Sequence, residues 1–404
     1  MIEHKKFGEV CDFVRGPFGG SLKKSFFVEE GYAVYEQKHA IYDQFSEIRY
    51  FVDEKKFNEM KRFELKPNDL IMSCSGTMGK VAIVPGNIKK GIINQALLKL
   101  TPKDFLDVKY LKYWMNSPDF DNRIQENTVG AAIKNVASVK VLKQIDVPIP
   151  PLEEQHLIIK LLDEALAKVD QAIANIERNI ENANELFQSK LNDIFSQKGD
   201  DWEEKTLKEV CSVITDGTHQ TPKYFDSGYI FLSSKNVTSG KIDWENIKYL
   251  DEEQHNKMYK RLAPQINDIL LAKNGTTGVA AIVDVDKVFD IYVSLALLRP
   301  TEIIFPYYLL HFINSVKAKK QFNKRLKGIG VPNLHLNEIR EVVINFPKSL
   351  EEQKEYANYI DKLLSHKELI ETKYDKKLIE LEDLKKSILQ KAFAGELTQS
   401  PVAI

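Results

Sequence analysis

The sequence predicts a mixed α/β (α+β) fold in which one unit is written twice. Two duplicated globular domains are separated by two long helices, which pair as an antiparallel coiled coil about a pseudo-two-fold axis. Three observations predict it. The tetrapeptide LEEQ stands at 152–155 and again at 350–353, in a chain of 404 residues. NDLIMSCSGTMGKVAIV (68–84) faces NDILLAKNGTTGVAAIV (267–283) without a gap, with 8 of 17 positions identical. Each LEEQ opens a run free of Pro and Gly until Gly199 and Gly395, with apolar residues at steps of three and four.

The remaining matches keep the same order. KFGEVC (6–11) faces TLKEVC (206–211), ALLKL (96–100) faces ALLRP (296–300), and YLKYWMNS (110–117) faces YLLHFINS (308–315). SKLNDIF (189–195) faces SILQKAF (387–393) at the helix ends. The segments are therefore a first domain at 1–151, a helix at 152–196, a second domain at 197–349 and a second helix at 350–396. VAIV, IDVPI, YIFLSS and EVVINF have strand composition, and the two matched tyrosine-led octapeptides are short amphipathic helices.

The first long helix places Leu166, Val169, Ile173, Ile176, Ile180 and Phe187 on one seam, and the second places Ile370, Tyr374, Leu378, Leu381 and Ile388. A rod with an apolar stripe must bury it, most simply on the other rod; the alternative is that each rod packs on its own domain. The LEEQ carboxylates fall in a first helical turn, where they favour the positive end of the helix dipole.

Charge alternates with the segments. The domains carry net +4 and +2 and the helices −5 and −2, so a polyanionic partner fits the domains better than the rods. Three cysteines without metal or disulfide spacing, no signal-peptide core and no apolar run near 20 residues point to a soluble, cytoplasmic protein with no membrane partner. No catalytic signature stands out. SGTMGKV (75–81) has a Gly–Lys pair but not the spacing of a phosphate loop, and its copy NGTTGVA (274–280) has no Lys. Both copies keep the glycines, which is the pattern of a tight turn between strands. HExxH, CxxC, GxSxG and a strand-linked GxGxxG are absent from the sequence, which argues against a self-contained methyltransferase.

The ordered recurrence of PIPPLEEQ (148–155) and FPKSLEEQ (346–353), of SGTMGKVAIV and NGTTGVAAIV, of the S-x-L/I-x-x-x-F helix ends, and of the loops GPFGGSLKKSFF (16–27) and DGTHQTPKYF (216–225) resembles one family over essentially the whole chain. The chain is similar to the specificity subunit of type I restriction–modification systems. The resemblance implies two target-recognition domains, one for each half of a split, asymmetric DNA sequence, with the coiled coil setting the gap. It implies a subunit that is itself non-catalytic and holds no cofactor or metal. Two methylation subunits dock on it, and restriction/translocase subunits add to these; S-adenosylmethionine, ATP and Mg belong to those partners.

Base readout is expected in the divergent segments, about 24–66 and 217–262, by Arg, Lys, Asn and Gln. Lys23, Lys24, Thr218, His219 and Lys223 in the two early loops are candidates for double-stranded DNA contact. So are Lys134, Asn135, Arg325, Lys327 and Asn333 in the later loops, where Asn135 and Asn333 are matched across the repeat. Solvated lysines and turn-capping asparagines are the competing reading. The outer faces of the helices are the candidates for docking the methylation subunits. A coiled-coil scaffold joining two protein-binding modules, without DNA readout, is the alternative function; a steep loss of DNA affinity with salt would separate the two.

Overall fold

The strand order of the first half returns in the second. The computed structural model describes residues 3–18, 20–126, 139–325 and 333–399. It divides into two compact units, Met1–Ile176 with Lys376–Ile404 and Glu177–Asp375.

In unit one a four-stranded antiparallel sheet runs in the order Cys11–Arg15, Leu97–Pro102, Leu70–Ser73, Val81–Ile83. A second sheet orders Phe27–Val28, Tyr50–Val52, Tyr32–Tyr35 and Gly91–Ile93, its last pairing parallel. Glu3–Lys6 pairs antiparallel with Asp146–Ile149, so the first and last strands of the domain close it. In unit two the corresponding sheet is Cys211–Asp216, Leu295–Pro300, Ile269–Ala272, Ala280–Ile282. Tyr229–Leu232 lies between antiparallel Lys248–Leu250 and parallel Phe289–Ile291, and Trp202–Thr206 closes on Val343–Pro347.

Register corrects one sequence match. Leu97–Pro102 corresponds to Leu295–Pro300, because Leu100 and Leu298 face Leu70 and Ile269 on the central strands. ALLKL and ALLRP are thus displaced by two residues. A run of leucines can slide along itself, and only pairing with the neighbouring strand fixes its frame.

The paired glycines form a turn. Gly76 and Gly79 have φ of 59° and 79°, and Gly275 and Gly278 have 75° and 82°, a region that glycine adopts without steric cost. In the first copy the Ser73 hydroxyl donates to the Thr77 carbonyl at 2.7 Å and accepts from the Lys80 amide at 3.0 Å, which closes the loop.

The long helices run Leu152–Phe195 and Leu350–Phe393, 44 residues each. Within unit one, Ile158 and Leu162 of the first helix share a core with Leu389, Ala392 and Phe393 of the second, and Asp170 pairs with Lys385 at 2.7 Å. Within unit two, Leu191, Ile194 and Phe195 share a core with Ala357 and Ile360, and Asn179 donates to Tyr374 at 3.3 Å. Early residues of one helix meet late residues of the other in both units, so the pairing is antiparallel. The rods meet each other and also enter the domain cores. Phe393 packs edge-on against Tyr110 at 5.3 Å between ring centres, and Phe195 against Tyr308 at 5.2 Å.

Along the stripe, Val169 and Ile176 are buried, and Leu166, Ile173, Ile180, Phe187, Tyr374, Leu378, Leu381 and Ile388 are half-buried. Ile370 is a correction: it lies outside the stripe, 39% exposed. At that level the covered positions are Lys367 and Glu371, which pair with each other at 2.9 Å, their long stems covering the seam.

The recurrence of LEEQ has its cause in the glutamine rather than in the carboxylates alone. Gln155 and Gln353 are fully buried. Gln155 accepts from the Asp107 amide at 2.8 Å and donates to the carbonyls of Phe105 and Pro150 at 3.0 and 2.9 Å. Gln353 repeats this with the Phe305 amide (2.7 Å) and the carbonyls of Ile303 and Pro347 (3.0 and 2.8 Å). An amide is the side chain that can supply one acceptor and two donors at once. Each glutamine ties the start of a rod to the loop before a domain helix.

Candidate nucleic-acid interface

The divergent segments fall on the second sheet of each domain and on the short helix that follows it. Their net charges are −1 over 24–66 and +1 over 217–262, so any affinity for an anion has to come from where the cations sit. Several sit on rings. In unit one Lys89 lies over Phe51 at 4.5 Å and Arg49 over Tyr50 at 4.9 Å, while Lys56, over Phe26 at 4.3 Å, is already taken by Glu59 at 3.1 Å. In unit two Lys248 lies over Tyr224 at 3.8 Å and Lys223 over Phe225 at 5.4 Å. A cation held on a ring face loses less freedom when it meets a phosphate, and half-exposed rings such as Phe26 and Tyr224 offer apolar surface to a base or sugar.

Lys23 precedes the 3-10 turn Lys24–Phe26, and both lysines are exposed. Thr218 is held by the backbone, its amide donating to Ile291 and its carbonyl accepting from Val293, both at 3.0 Å. Lys223 is clamped through its main chain to the Gln254 amide group at 2.9 and 3.1 Å. Arg325 is the last residue of the helix Val316–Arg325. Lys134, Asn135 and Lys327 lie outside the described residues.

His219 and Asn333 come together at a cleft of about 470 Å³ in unit two, with Asn274 and Arg340 in its wall. Asp216 and Lys273 form a buried ion pair there at 2.5 Å, and exposed His219 approaches Asp216 at 3.3 Å. Asn274 and Asn333 form an isolated antiparallel bridge, and the Leu334 amide donates to the Lys273 carbonyl at 3.1 Å. The sequence reading missed Asp216, Lys273 and Asn274. The signal lay in NDILLAKNGTTG, where Lys and Asn stand at the positions of Cys74 and Ser75.

In unit one the equivalent pair is Arg15 and Cys74. Arg15 faces Leu98 as Asp216 faces Ala296, and the amides of Cys74 and Lys273 take the matched carbonyls of Ala96 and Ser294. Burial pushes the Cys74 thiol up, and the Arg15 guanidinium draws it back. Cys211, matched to Cys11, is pushed up to about 12 by burial and by Asp268, which keeps it a thiol. Among the described residues there is no cluster of three or more potential metal ligands, and no helix is long and apolar enough to cross a membrane.

A family model described as the type I restriction modification DNA specificity domain matches twice, over residues 2–182 and 199–380. The chain is 28% identical over 361 residues to the type I restriction enzyme MjaVIII specificity subunit of Methanocaldococcus jannaschii, covering 83% of this chain and 81% of that one. It is 25% identical over 360 residues to the EcoBI specificity subunit of Escherichia coli, covering 82% and 74%. A solved chain from a study of complex assembly and conformational transition of the type I R-M system superposes with a TM-score of 0.77 at 17% identity, covering 98% of both chains. The HsdS subunit from Thermoanaerobacter tengcongensis gives 0.56 at 17%, covering 98% and 97%. At these identities the two structures speak for the fold.

Proposed function

The chain belongs to the type I restriction–modification DNA specificity family, whose specificity subunits are non-catalytic DNA-recognition members of their complexes, and we propose that it reads a bipartite, asymmetric DNA target. One domain reads each half-site, and the paired helices set the gap. One observation carries the reading. The two domains share the strand order of the first sheet and, beyond the bulge after Cys211, its register, yet differ in side-chain chemistry at matched positions, as Arg15 with Cys74 and Asp216 with Lys273 illustrate. Equal frames with unequal surfaces suit two unrelated half-sites. Lys23, Lys24, Thr218, His219, Lys223, Arg325 and Asn333 are the proposed contacts.

The methylation subunits dock on the outer helical faces. Support comes from apolar side chains left open there: Leu186 and Leu369 in unit two, 62% and 51% exposed, and Ile379 in unit one, 65% exposed. Each stands on a helix that buries its other face, so its apolar surface is free to meet a partner. S-adenosylmethionine, ATP and Mg are held by the methylation and restriction/translocase subunits.

The test is to assemble the chain with its methylation subunit and map the modified adenines. A two-part sequence with a fixed unread gap supports the reading. A steep loss of affinity with salt is expected from phosphate contacts, and DNA binding indifferent to sequence would overturn it.

A further inference from the structure

We infer that the cleft of unit two is a base-reading site, in which the amide oxygens of Asn274 and Asn333 receive an exocyclic amine, either adenine N6 or cytosine N4. This rests on the two-domain reading above and assigns residues within it. The Oδ1 atoms of both asparagines are buried without a donor. Buried acceptors are nearly always satisfied, because a stranded one costs stability; two of them on residues that bridge each other are what a binding site holds when its ligand supplies the donor.

The charges of the cleft exclude the obvious competitor, a phosphate. Lys273 is engaged by Asp216 at 2.5 Å. Arg340 donates to the Ile214 carbonyl and to Asn337, each at 2.8 Å. With both cations tied down, the wall offers acceptors more than positive charge. The ion pair also fixes the strand end and the NGTTG turn against each other, so the two amides sit on a braced frame.

The positions of unit one matched to Asp216, Lys273 and Asn274 carry Arg15, Cys74 and Ser75, a different set of donors and acceptors, while Asn333 has an asparagine, Asn135, as its match in the sequence, so the divergence lies at Asn274 and the ion pair behind it. A molecule that reads two unrelated half-sites has to differ somewhere on its common frame, and it differs here.

The experiment uses the complete methylation complex and a DNA library randomised in the half-site read by the second domain. The wild-type complex is expected to require adenine or cytosine at one position. Replacing that base by purine or 2-pyrimidinone, which lack the amine, tells the two sources apart and should weaken binding about tenfold or more. Asn274→Ala and Asn333→Ala should flatten the preference at that position alone, while the other half-site keeps its sequence. Asn333→Asp, which keeps an acceptor, should retain the preference; a merely structural asparagine would give no such base-specific pattern. If both alanine variants misfold, the amine-free bases on the wild-type complex decide. Unchanged base preferences in folded alanine variants, or indifference to loss of the amine, overturn the cleft assignment and leave the two-domain reading intact. A wild-type complex that selects no second half-site overturns both.

Discussion

Tyr32 of unit one and Tyr229 of unit two begin the same strand, and each stacks on a ring from the helix that follows. Tyr32 lies 4.0 Å from Phe57 at 11°, and Tyr229 lies 3.8 Å from His255 at 7°. The helices carrying those rings are capped alike, by Asp53 on the Lys56 amide and by Asp251 on the Gln254 amide. The neighbour behind the ring is different. In unit one it is Ile92, fully buried beside Phe57. In unit two the same place on the parallel strand holds Asp290, 2% exposed, which accepts from or donates to His255 at 2.8 Å. The frame thus keeps its shape while an apolar contact in one copy becomes a buried polar pair in the other. Geometry is inherited from the duplication, and chemistry is free to diverge.

The largest way to break this comparison is to strand the histidine. Asp290→Ala should cost unit two about 3–5 kcal/mol, the usual penalty for removing one partner of a buried pair. Hydrogen exchange resolved by domain should show the loss in unit two alone; an equal loss in unit one would mean that the frames are not independent.

Next come the two glutamines. Gln155→Ala and Gln353→Ala each strand three backbone groups, and each should cost about 2–3 kcal/mol in its own unit. Because the two networks are matched bond for bond, equal losses are expected. A variant without effect would show that the amide is not what fixes the helix start.

Converting one unit to the other is a gentler test. The double substitution His255→Phe with Asp290→Ile installs the unit-one pair and should stabilise unit two by about 1–2 kcal/mol near neutral pH. Burial pushes the Asp290 carboxyl above the usual carboxylate range, with His255 drawing it back. A raised acid contributes stability that is fully present below about pH 4 and lost as pH rises through its folded value. The gain from the double variant should therefore shrink toward pH 4, and thermal melts at several pH values would check it.

The smallest effect concerns the joint between rod and domain. Asp163 and Asp361 are matched, and they meet Tyr113 and His311 at matched positions. His311 Nε2 stands 3.0 Å from Asp361 without hydrogen-bond alignment. At Asp163 burial pushes the carboxyl up, but hydrogen bonds from Lys109 and Tyr113 hold it below the usual range. A depressed acid stabilises above about pH 4 and loses that contribution as pH falls through its lowered value. Asp163 is more than a third exposed, so the effect should stay under about 1 kcal/mol. Asp163→Asn should flatten the acid limb of unit-one stability; an unchanged limb would remove Asp163 from the joint.

Much of this architecture is legible in the sequence, because repeat spacing, glycine turns and helical periodicity are local signals. The GTMG and GTTG turns, the two domain helices and the two rods all follow from short stretches. Ile370 misleads because Lys367 and Glu371, polar in sequence, cover the stripe by pairing. The pair Asp216–Lys273 stays hidden because a bulge between Cys211 and Val213 adds one residue to the strand. Counting without a gap therefore sets Asp216 against Gly16 and conceals its match to Arg15. His255 and Asp290 are 35 residues apart, and no local pattern announces a buried polar partner.

The most direct measurement is to exchange residues 197–349 for the second domain of a relative and map the adenines modified by each assembled complex. A gapped two-part sequence is expected, in which one half changes and the other half and the gap stay fixed. A continuous recognised sequence, or an exchange that alters both halves together, would contradict it.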